Sequence, residues 1–168
     1  MKKLIMINGT MGVGKSAVCR QLLKILTPGV WLDGDWCWNM NPFVVTDENK
    51  AMVISNISYL LQSFLRNTGY EYVIFCWVIH QETIFDQILA NLQDDDYELY
   101  KISLICSEKA LAIRLQKDVE AGIRNQDIIN RSISRLALYR GMDTQKIDVS
   151  DMTAEQAAQE IKQLVLHS

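Results

Sequence analysis

A short apolar segment that runs directly into a glycine-rich loop is the feature that most constrains this sequence. Residues 3–7 (KLIMI) are predicted to form a buried strand, and residues 9–16 (GTMGVGKS) fit the spacing G-x-x-x-x-G-K-[ST]. Apolar residues with helical spacing follow from Lys15 onwards. A strand, a loop of this pattern and a helix, in that order, predict a site where main-chain N–H groups and a helix N-terminus bind the phosphates of a nucleoside triphosphate.

Each residue type in this loop has a role in binding phosphate. The glycines allow main-chain conformations that a Cβ atom would forbid, so successive N–H groups can point at phosphate oxygens. Lys15 can reach the β- and γ-phosphates, and the hydroxyl of Ser16 can ligate Mg²⁺. We therefore predict a nucleoside triphosphate and Mg²⁺ at this site. The residues predicted to hold the nucleotide are Gly9, Thr10, Met11, Gly12, Val13, Gly14, Lys15, Ser16 and Ala17.

Predicted strands and helices alternate along the whole chain. Strands are predicted at residues 3–7, 30–33, 72–79, 98–106 and 145–150. Helices are predicted at residues 15–26, 47–67, 83–92, 107–119 and 128–140, with a turn at 94–96 and a last helix that begins at a capping box, residues 153–156. This alternation predicts an α/β fold with a five-stranded, mainly parallel sheet and helices on both faces. No repeat or linker divides the sequence, so we expect one domain over residues 1–168.

Composition excludes several classes of protein. The chain has 168 residues, of which 49% are hydrophobic and 22% charged, and its formal net charge is −3. These values are typical of a globular domain without a nucleic-acid-binding surface, and no apolar run approaches the roughly 20 residues of a membrane span. Four cysteines occur singly, which favours reduced thiols in a cytoplasmic protein. We expect no nucleic-acid or membrane partner, while a monomer and a homodimer both stay open.

The sequence lacks the signals of GTPases and of large ATPases. No aspartate has a glycine three positions later, as the D-x-x-G turn of a GTPase requires, and residues 145–148 (QKID) lack the asparagine of a guanine-reading N-K-x-D pattern. The strongest predicted strand continues into residues 75–80 (FCWVIH), which contain no acidic residue to hold Mg²⁺. A carboxylate for the metal must therefore come from another strand.

Residues 31–38 (WLDGDWCW) supply two such carboxylates. Asp33 closes the second predicted strand, and ligands of open parallel sheets bind beyond the carboxyl ends of the strands. Asp35 follows after a glycine that leaves room for a ligand. One carboxylate can orient Mg²⁺, and the other can accept a proton from a substrate hydroxyl as it attacks the γ-phosphate. An acidic turn whose aspartates only cap the next segment is the alternative.

The GTMGVGKS loop, followed by a strand that ends in DGD, resembles the small P-loop kinases of the shikimate kinase, gluconate kinase and chloramphenicol phosphotransferase type, which are relatives of the nucleoside monophosphate kinases. The resemblance implies a P-loop NTPase three-layer sandwich and ATP-dependent phosphorylation of a small molecule. It also implies that Ser16 and Asp33 hold the metal and that Asp35 activates the acceptor, although the reverse assignment of the two aspartates stays open.

Residues 106–136 resemble the lid region of these kinases, with the lid itself at about 114–135. By position, Arg114 matches an arginine beside the adenine. The resemblance implies catalytic arginines that close over the phosphates, for which Arg124 and Arg131 are the candidates, and Arg135 is a candidate for the substrate. The alternative is that these arginines lie on a solvated helix face and pair with neighbouring acids such as Glu120 or Asp127.

The acceptor site is the least defined by sequence. Besides Asp35 and Arg135, the candidate contacts are Trp36, which could stack on a planar or sugar-like acceptor, and His80, which could hydrogen-bond it. Packing of Trp36 against the long helix at 47–67 is equally compatible with the sequence. The glycine-rich segment that shikimate kinases carry after the third strand is missing, so shikimate is not the expected acceptor.

We therefore predict an ATP-dependent kinase whose small-molecule acceptor is a nucleoside or nucleotide, a sugar, or an antibiotic. A second function fits the same sequence, namely a nucleotide-dependent binding or resistance protein that sequesters its ligand without phosphorylating it. Phosphorylation of a macromolecule is disfavoured by the lack of a basic surface signature.

Overall fold

A computed structural model describes residues 1–92 and 95–168 of the chain. Five strands form one parallel sheet in the order β2-β3-β1-β4-β5. The strands are β1 (Lys2–Asn8), β2 (Gly29–Asp33), β3 (Tyr72–Cys76), β4 (Tyr97–Ile105) and β5 (Gln145–Asp148). The helices are α1 (Lys15–Ile25), α2 (Asp47–Arg66), α3 (Glu82–Ala90), α4 (Glu108–Glu120), α5 (Ile128–Arg140) and α6 (Ala154–Leu166), with a short 3-10 helix at Gly34–Trp38. The predicted α/β fold with a five-stranded parallel sheet is confirmed.

The sheet separates two apolar cores, because alternate residues of each strand point to opposite faces. Ile5 and Ile7 of β1 belong to the core that α1, α4 and α6 cover, whereas Leu4 and Met6 belong to the core under α2 and α3. Helix α5 contributes to both cores. As the central strand, β1 is buried from residue 4 to residue 8 and pairs with β3 on one side and β4 on the other. This placement fixes the loop after β1 at the middle of the sheet edge.

Side-chain caps set the starts of three helices. The hydroxyls of Thr46 and Ser107 accept hydrogen bonds from the main-chain N–H groups three residues later, at the N-termini of α2 and α4. The predicted capping box at residues 153–156 is confirmed, since Thr153 and Gln156 each accept a hydrogen bond from the main chain of the other. None of the helices in the described residues is long and apolar enough to cross a bilayer.

Two segments differ from the sequence prediction. Strand β3 ends at Cys76, not at residue 79, and residues 34–38, for which no helix was predicted, form a 3-10 helix. The apolar run continues beyond β3 because Ile79 is fully buried off the sheet, so hydrophobicity alone could not mark the strand end. The turn predicted at 94–96 includes Asp94, which lies outside the described residues.

Candidate active site

The carboxyl ends of three neighbouring strands bring the predicted site residues to one edge of the sheet. Asp33, the last residue of β2, is in register with Cys76 of β3, and Cys76 is in register with Ile7 of β1. The glycine-rich loop starts directly after Asn8 and leads into α1. The two sequence features therefore lie side by side, although 17 residues separate Ser16 from Asp33 along the chain.

The loop at residues 9–14 packs closely on α4. Gly12 has a φ of +85°, and a Cβ atom at this position would overlap the side chain of Leu115. A residue with a side chain would meet both an unfavourable main-chain conformation and a steric clash. Gly14, with a φ of +110°, precedes the first turn of α1. These conformations turn the loop around the space at the N-terminus of α1, where an anion is favoured by the free N–H groups.

The side chain of Lys15 folds back over the loop. Its Nζ donates hydrogen bonds to the carbonyl oxygens of Gly9, at 2.8 Å, and Thr10, at 3.0 Å. Burial lowers the pKa of Lys15, while the negative charges of Asp33 and Asp35 oppose this shift. The ammonium group therefore lies next to the loop amides and can exchange its main-chain partners for phosphate oxygens.

Ser16 and the aspartate pair form a connected cluster. The Ser16 hydroxyl donates to Asp33 Oδ2 at 2.7 Å, and the main-chain N–H of Asp35 donates to Asp33 Oδ1 at 3.0 Å. The second bond caps the 3-10 helix, so Asp33 does perform the capping role that sequence analysis left as the alternative. Its other oxygen faces the loop. A hydroxyl and a carboxylate in contact are oxygen ligands of the kind Mg²⁺ prefers, so these two residues fit a magnesium site.

Asp35 lies where two cavities meet. Partial burial by the cavity walls and the negative charge of Asp33 raise the pKa of Asp35, and the positive charge of Lys15 opposes the shift. The residue is nevertheless exposed, because its side chain opens into the cleft. A carboxylate with a raised pKa and access to a ligand is suited to accept a proton.

The first cavity, which we call the nucleotide cavity, has a volume of about 370 Å³. Gly12, Gly14, Lys15 and Ser16 line one side. Asp33 and Asp35 line the cavity as well, and Arg114, Lys117 and Arg124 contribute from α4 and the loop that follows it. Lys117 was not predicted as a site residue, although its spacing of three residues from Arg114 on one helix places both on the same face.

Both arginines that line the nucleotide cavity make hydrogen bonds to other residues of the protein. Arg114 donates to the carbonyl oxygens of Val13, at 3.1 Å, and Val149, at 2.5 Å, so it joins the glycine-rich loop to the segment after β5. Arg124 Nε donates to Asp118 at 3.0 Å. Its partner is thus neither Glu120 nor Asp127, the acids considered from the sequence. Only residues 121–127 of the predicted lid segment lie outside helices.

The second cavity, which we call the acceptor cavity, has a volume of about 900 Å³. Met11, Asp35 and Val78 line both cavities, so the two are adjacent. Aromatic side chains form much of its wall, and basic side chains lie among them. The lining residues include Trp36, Trp38, Phe43, Trp77, Lys50, His80, Arg131 and Arg135. The structure therefore divides the predicted arginines, with Arg114 and Arg124 beside the nucleotide cavity and Arg131 and Arg135 beside the acceptor cavity.

His80 follows an unusual main-chain conformation. Ile79 has a φ of +25°, which branched side chains rarely adopt, and the buried Asn8 holds it by donating from Nδ2 to its carbonyl oxygen at 2.9 Å. The Nδ1 atom of His80 is buried and has no hydrogen-bond partner among the described residues. Burial, together with the positive charge of Arg135, lowers the pKa of His80.

Several residues that line the acceptor cavity were not among the predicted site residues, and Trp77 and Phe43 are two of them. Trp77 packs its indole directly on Gly34, where a Cβ atom would overlap the ring. Phe43 stacks on Trp38 with ring centroids 5.7 Å apart. The signal for Trp77 was its position just after a strand that ends at the active edge. Nothing in the sequence pattern distinguished Phe43 from a loop residue.

The sheet order and the glycine-rich loop after the central strand are those of a P-loop NTPase α/β fold. The chain belongs to the AAA domain family, whose sequence model matches residues 5–156. A search of curated proteins gave no significant match.

Solved structures with the same fold cover almost the whole chain. The tunicamycin resistance protein of Deinococcus radiodurans is 23% identical with a TM-score of 0.74, over 98% of this chain and 96% of that chain. A gluconokinase from Sinorhizobium meliloti 1021 is 18% identical with a TM-score of 0.69, over 99% and 94%. The Mycobacterium tuberculosis APS kinase, in complex with AMPPNP and APS, is 18% identical with a TM-score of 0.68, over 99% and 98%. At these identities the similarity establishes the shared fold.

Proposed function

We propose that this protein is an ATP-dependent kinase that transfers the γ-phosphoryl group to a small-molecule acceptor. The observation that carries this proposal is the position of Asp35, which lines both the nucleotide cavity and the acceptor cavity. A group that reaches both ligands is what phosphoryl transfer between them requires. The same fold in a gluconokinase and an APS kinase supports the reaction class.

In the proposed reaction, loop N–H groups and Lys15 hold the β- and γ-phosphates of ATP. The acceptor hydroxyl gives its proton to Asp35 while its oxygen bonds to the γ-phosphorus. The bond from that phosphorus to the β–γ bridging oxygen breaks, and ADP leaves. Arg124 donates to the transferring group and offsets its charge. Bound Mg²⁺, held by Ser16 and Asp33, would supply further neutralisation of phosphate charge.

The remaining predicted residues act around this centre. The proposed role of Arg114 is to flank the adenine, and its bonds connect the glycine-rich loop with the segment after β5. Arg131 and Arg135 line the acceptor cavity, where they would contact the acceptor. Arg131 was predicted to contact the transferring phosphate, and its position in the acceptor cavity favours a contact with the acceptor instead.

A binding protein without turnover is the second candidate. The large acceptor cavity and the similarity to a tunicamycin resistance protein support it. Such a protein would retain its ligand in the acceptor cavity, and Asp35 would have no chemical role.

One experiment separates these candidates. Purified protein is incubated with ATP, Mg²⁺ and a panel of nucleosides, nucleotides, sugars and antibiotics, and ADP release is measured with Asp35→Asn as the test variant and Asp86→Asn, on α3, as the matched control. For a kinase we expect acceptor-dependent ADP from the wild type and the control but not from Asp35→Asn. Ligand binding by wild type and Asp35→Asn without ADP release would instead establish the binding protein.

A further inference from the structure

We infer that the acceptor combines a flat apolar body with an anionic group, rather than being a neutral polyhydroxylated molecule such as a sugar. This inference rests on the proposed function only in calling the ligand an acceptor, because it is read from the walls of the acceptor cavity alone. It narrows the substrate class, since a nucleotide or an aromatic acid meets both conditions and a free sugar meets neither.

The apolar half of the inference comes from aromatic surface left open at the cavity. Trp36 is 54% exposed and Phe43 is 65% exposed, and Val45 beside them is also exposed. Among the described residues each ring has one tilted aromatic neighbour, since Trp36 packs on Trp31 with 4.9 Å between centroids and Phe43 packs on Trp38. Covering exposed aromatic surface is favourable, so these open faces favour a ligand with an apolar, flat surface.

The polar side chains of the acceptor cavity are poorly suited to a polyol. Every sugar hydroxyl carries a proton that needs an acceptor when it is buried. Lys50, Arg131 and Arg135 can only donate hydrogen bonds. Among the lining side chains that can accept one are Asp35, which the proposed reaction already uses, Asn39 and His80. The protons of a ligand with several neutral hydroxyls would therefore find few acceptors among these side chains.

The anionic half of the inference comes from charge. Lys50, Arg131 and Arg135 line this cavity together with one carboxylate, that of Asp35, and Lys50 also pairs with Asp47 at 3.9 Å outside the lining. Arg131 and Arg135 lie four residues apart on α5 and so share a helix face. Within residues 1–92 and 95–168, neither guanidinium makes an ion pair, whereas Arg124 pairs with Asp118. Arginine beside aromatic walls, with no protein counter-ion, favours a bidentate anion such as a phosphate or a carboxylate.

A pair of dyes tests both halves without knowledge of the natural acceptor. 8-Anilinonaphthalene-1-sulfonate has a flat aromatic body and an anionic group, and N-phenyl-1-naphthylamine has nearly the same rings without the charge. Their Kd values are measured by fluorescence in the absence of ATP, for wild type and for the double variant Arg131→Gln/Arg135→Gln. Arg140→Gln is the control, because Arg140 is exposed on the same helix and does not line the cavity.

We expect the double variant to weaken binding of the sulfonate dye by about tenfold or more, because charged hydrogen bonds are lost, and to leave binding of the neutral dye unchanged. Arg140→Gln should change neither. Equal losses for both dyes, or no loss for either, would overturn the anionic half. Lys50→Gln, on the separate helix α2, provides an independent second variant with the same expected selectivity should the α5 variant fail to fold. The apolar half would be overturned if the neutral dye did not bind the wild type. It would also be overturned if Trp36→Ala did not weaken binding of the neutral dye.

Competition with the sulfonate dye then identifies the chemical class of the ligand. Uridine is compared with uridine 5′-phosphate, and 4-hydroxybenzyl alcohol with 4-hydroxyphenylacetate, so that each pair differs mainly in charge. We expect only the anionic member of a pair to displace the dye, and the pair that does so distinguishes a nucleotide from an aromatic acid. Glucose should not displace it, and displacement by glucose would contradict the inference.

The outcomes also separate this inference from the proposed function. Selective binding of anionic aromatic ligands without any ADP release would retain the inference and contradict the kinase. ADP release that depends on a neutral sugar would retain the kinase and contradict the inference.

Discussion

The nucleotide cavity and the acceptor cavity share Asp35 but are built in different ways. One short stretch, within residues 11–17, supplies nearly half of the residues that line the nucleotide cavity, two glycines and Lys15 among them. The acceptor cavity takes its walls from side chains of the 3-10 helix and the segment after it, of the segment after β3, and of helices α2, α3 and α5. Main-chain geometry depends on a few glycines, whereas side-chain walls can change residue by residue.

This difference explains how one fold can serve many acceptors. Phosphate is common to every reaction of this kind, so a rigid cradle of amides is sufficient for it. The acceptor varies, and its recognition depends on side chains that no local pattern requires. We therefore expect substitutions in the two cavities to have separable effects, and the following predictions test that separation.

Lys15→Ala should have the largest effect. Removing the ammonium that neutralises the phosphates should lower ADP release by on the order of 1000-fold, and it should leave dye binding in the acceptor cavity intact. The measurement is acceptor-dependent ADP release beside the two dye titrations. Lys24→Ala, exposed on the same helix, is the control. ATP-dependent activity that survives in Lys15→Ala would contradict the site assignment.

Gly12→Ala, in the loop that lines the nucleotide cavity, should strongly lower the free energy of unfolding. The new Cβ would overlap Leu115 in addition to adopting a positive φ, and such overpacking costs about 1–3 kcal/mol in free energy of unfolding. Gly122 is the matched control, because its φ is +72° and no described atom lies within 4 Å of a Cβ there. Gly122→Ala should show only the conformational cost, about 1–2 kcal/mol. Urea unfolding measures the free energy of unfolding of both variants. Equal decreases in the two variants would contradict the proposed clash with Leu115.

The same contrast sets how far the sequence could predict this molecule. The spacing of glycines, lysine and serine at residues 9–16 was sufficient to predict a phosphate-binding loop. The alternation of strands and helices was sufficient to predict the parallel sheet. The pairing of Ser16 with Asp33 followed in outline, because both were placed at the carboxyl ends of strands.

The acceptor cavity could not be assembled in this way, since its walls meet only after the chain has folded. The contact of Trp77 with Gly34 joins residues that are 43 positions apart, and each residue had an unremarkable local interpretation. The division of the arginines between two cavities depends on where the loop at 121–127 turns. Hydrophobic periodicity describes faces of single elements and carries no information about such a turn.

Thr10→Val should test the link between the two cavities. The buried Thr10 hydroxyl donates to the carbonyl oxygen of Ser132 at 2.8 Å, which ties the glycine-rich loop to the helix that carries Arg131 and Arg135. Valine keeps the shape and removes the bond, at a cost of about 1 kcal/mol in free energy of unfolding. We also expect any change in sulfonate-dye Kd on adding AMPPNP to be smaller in this variant than in wild type.

Ser134→Ala is the control for this link, because within the part of the chain that the structure describes the exposed Ser134 hydroxyl donates only to the carbonyl oxygen of Arg131 on its own helix. It should leave both the unfolding free energy and the effect of AMPPNP on dye binding near their wild-type values. An effect of AMPPNP that is undiminished in Thr10→Val would mean that the cavities communicate by another route, or not through α5.

Arg135→Gln should produce the smallest effect, a rise in the pKa of His80. The positive charge of Arg135 disfavours the imidazolium form, so its removal should move this pKa upward toward the ordinary value of about 6.5. Burial is the larger cause of the lowered pKa and remains in the variant, so the value should stay below the ordinary one. The chain has two histidines, His80 and His167, so NMR titration of the ring signals in a His167→Gln background reports His80 alone. Arg140→Gln should leave the titration unchanged, and a His80 pKa that does not move in Arg135→Gln would show that the two side chains do not share the acceptor cavity in solution.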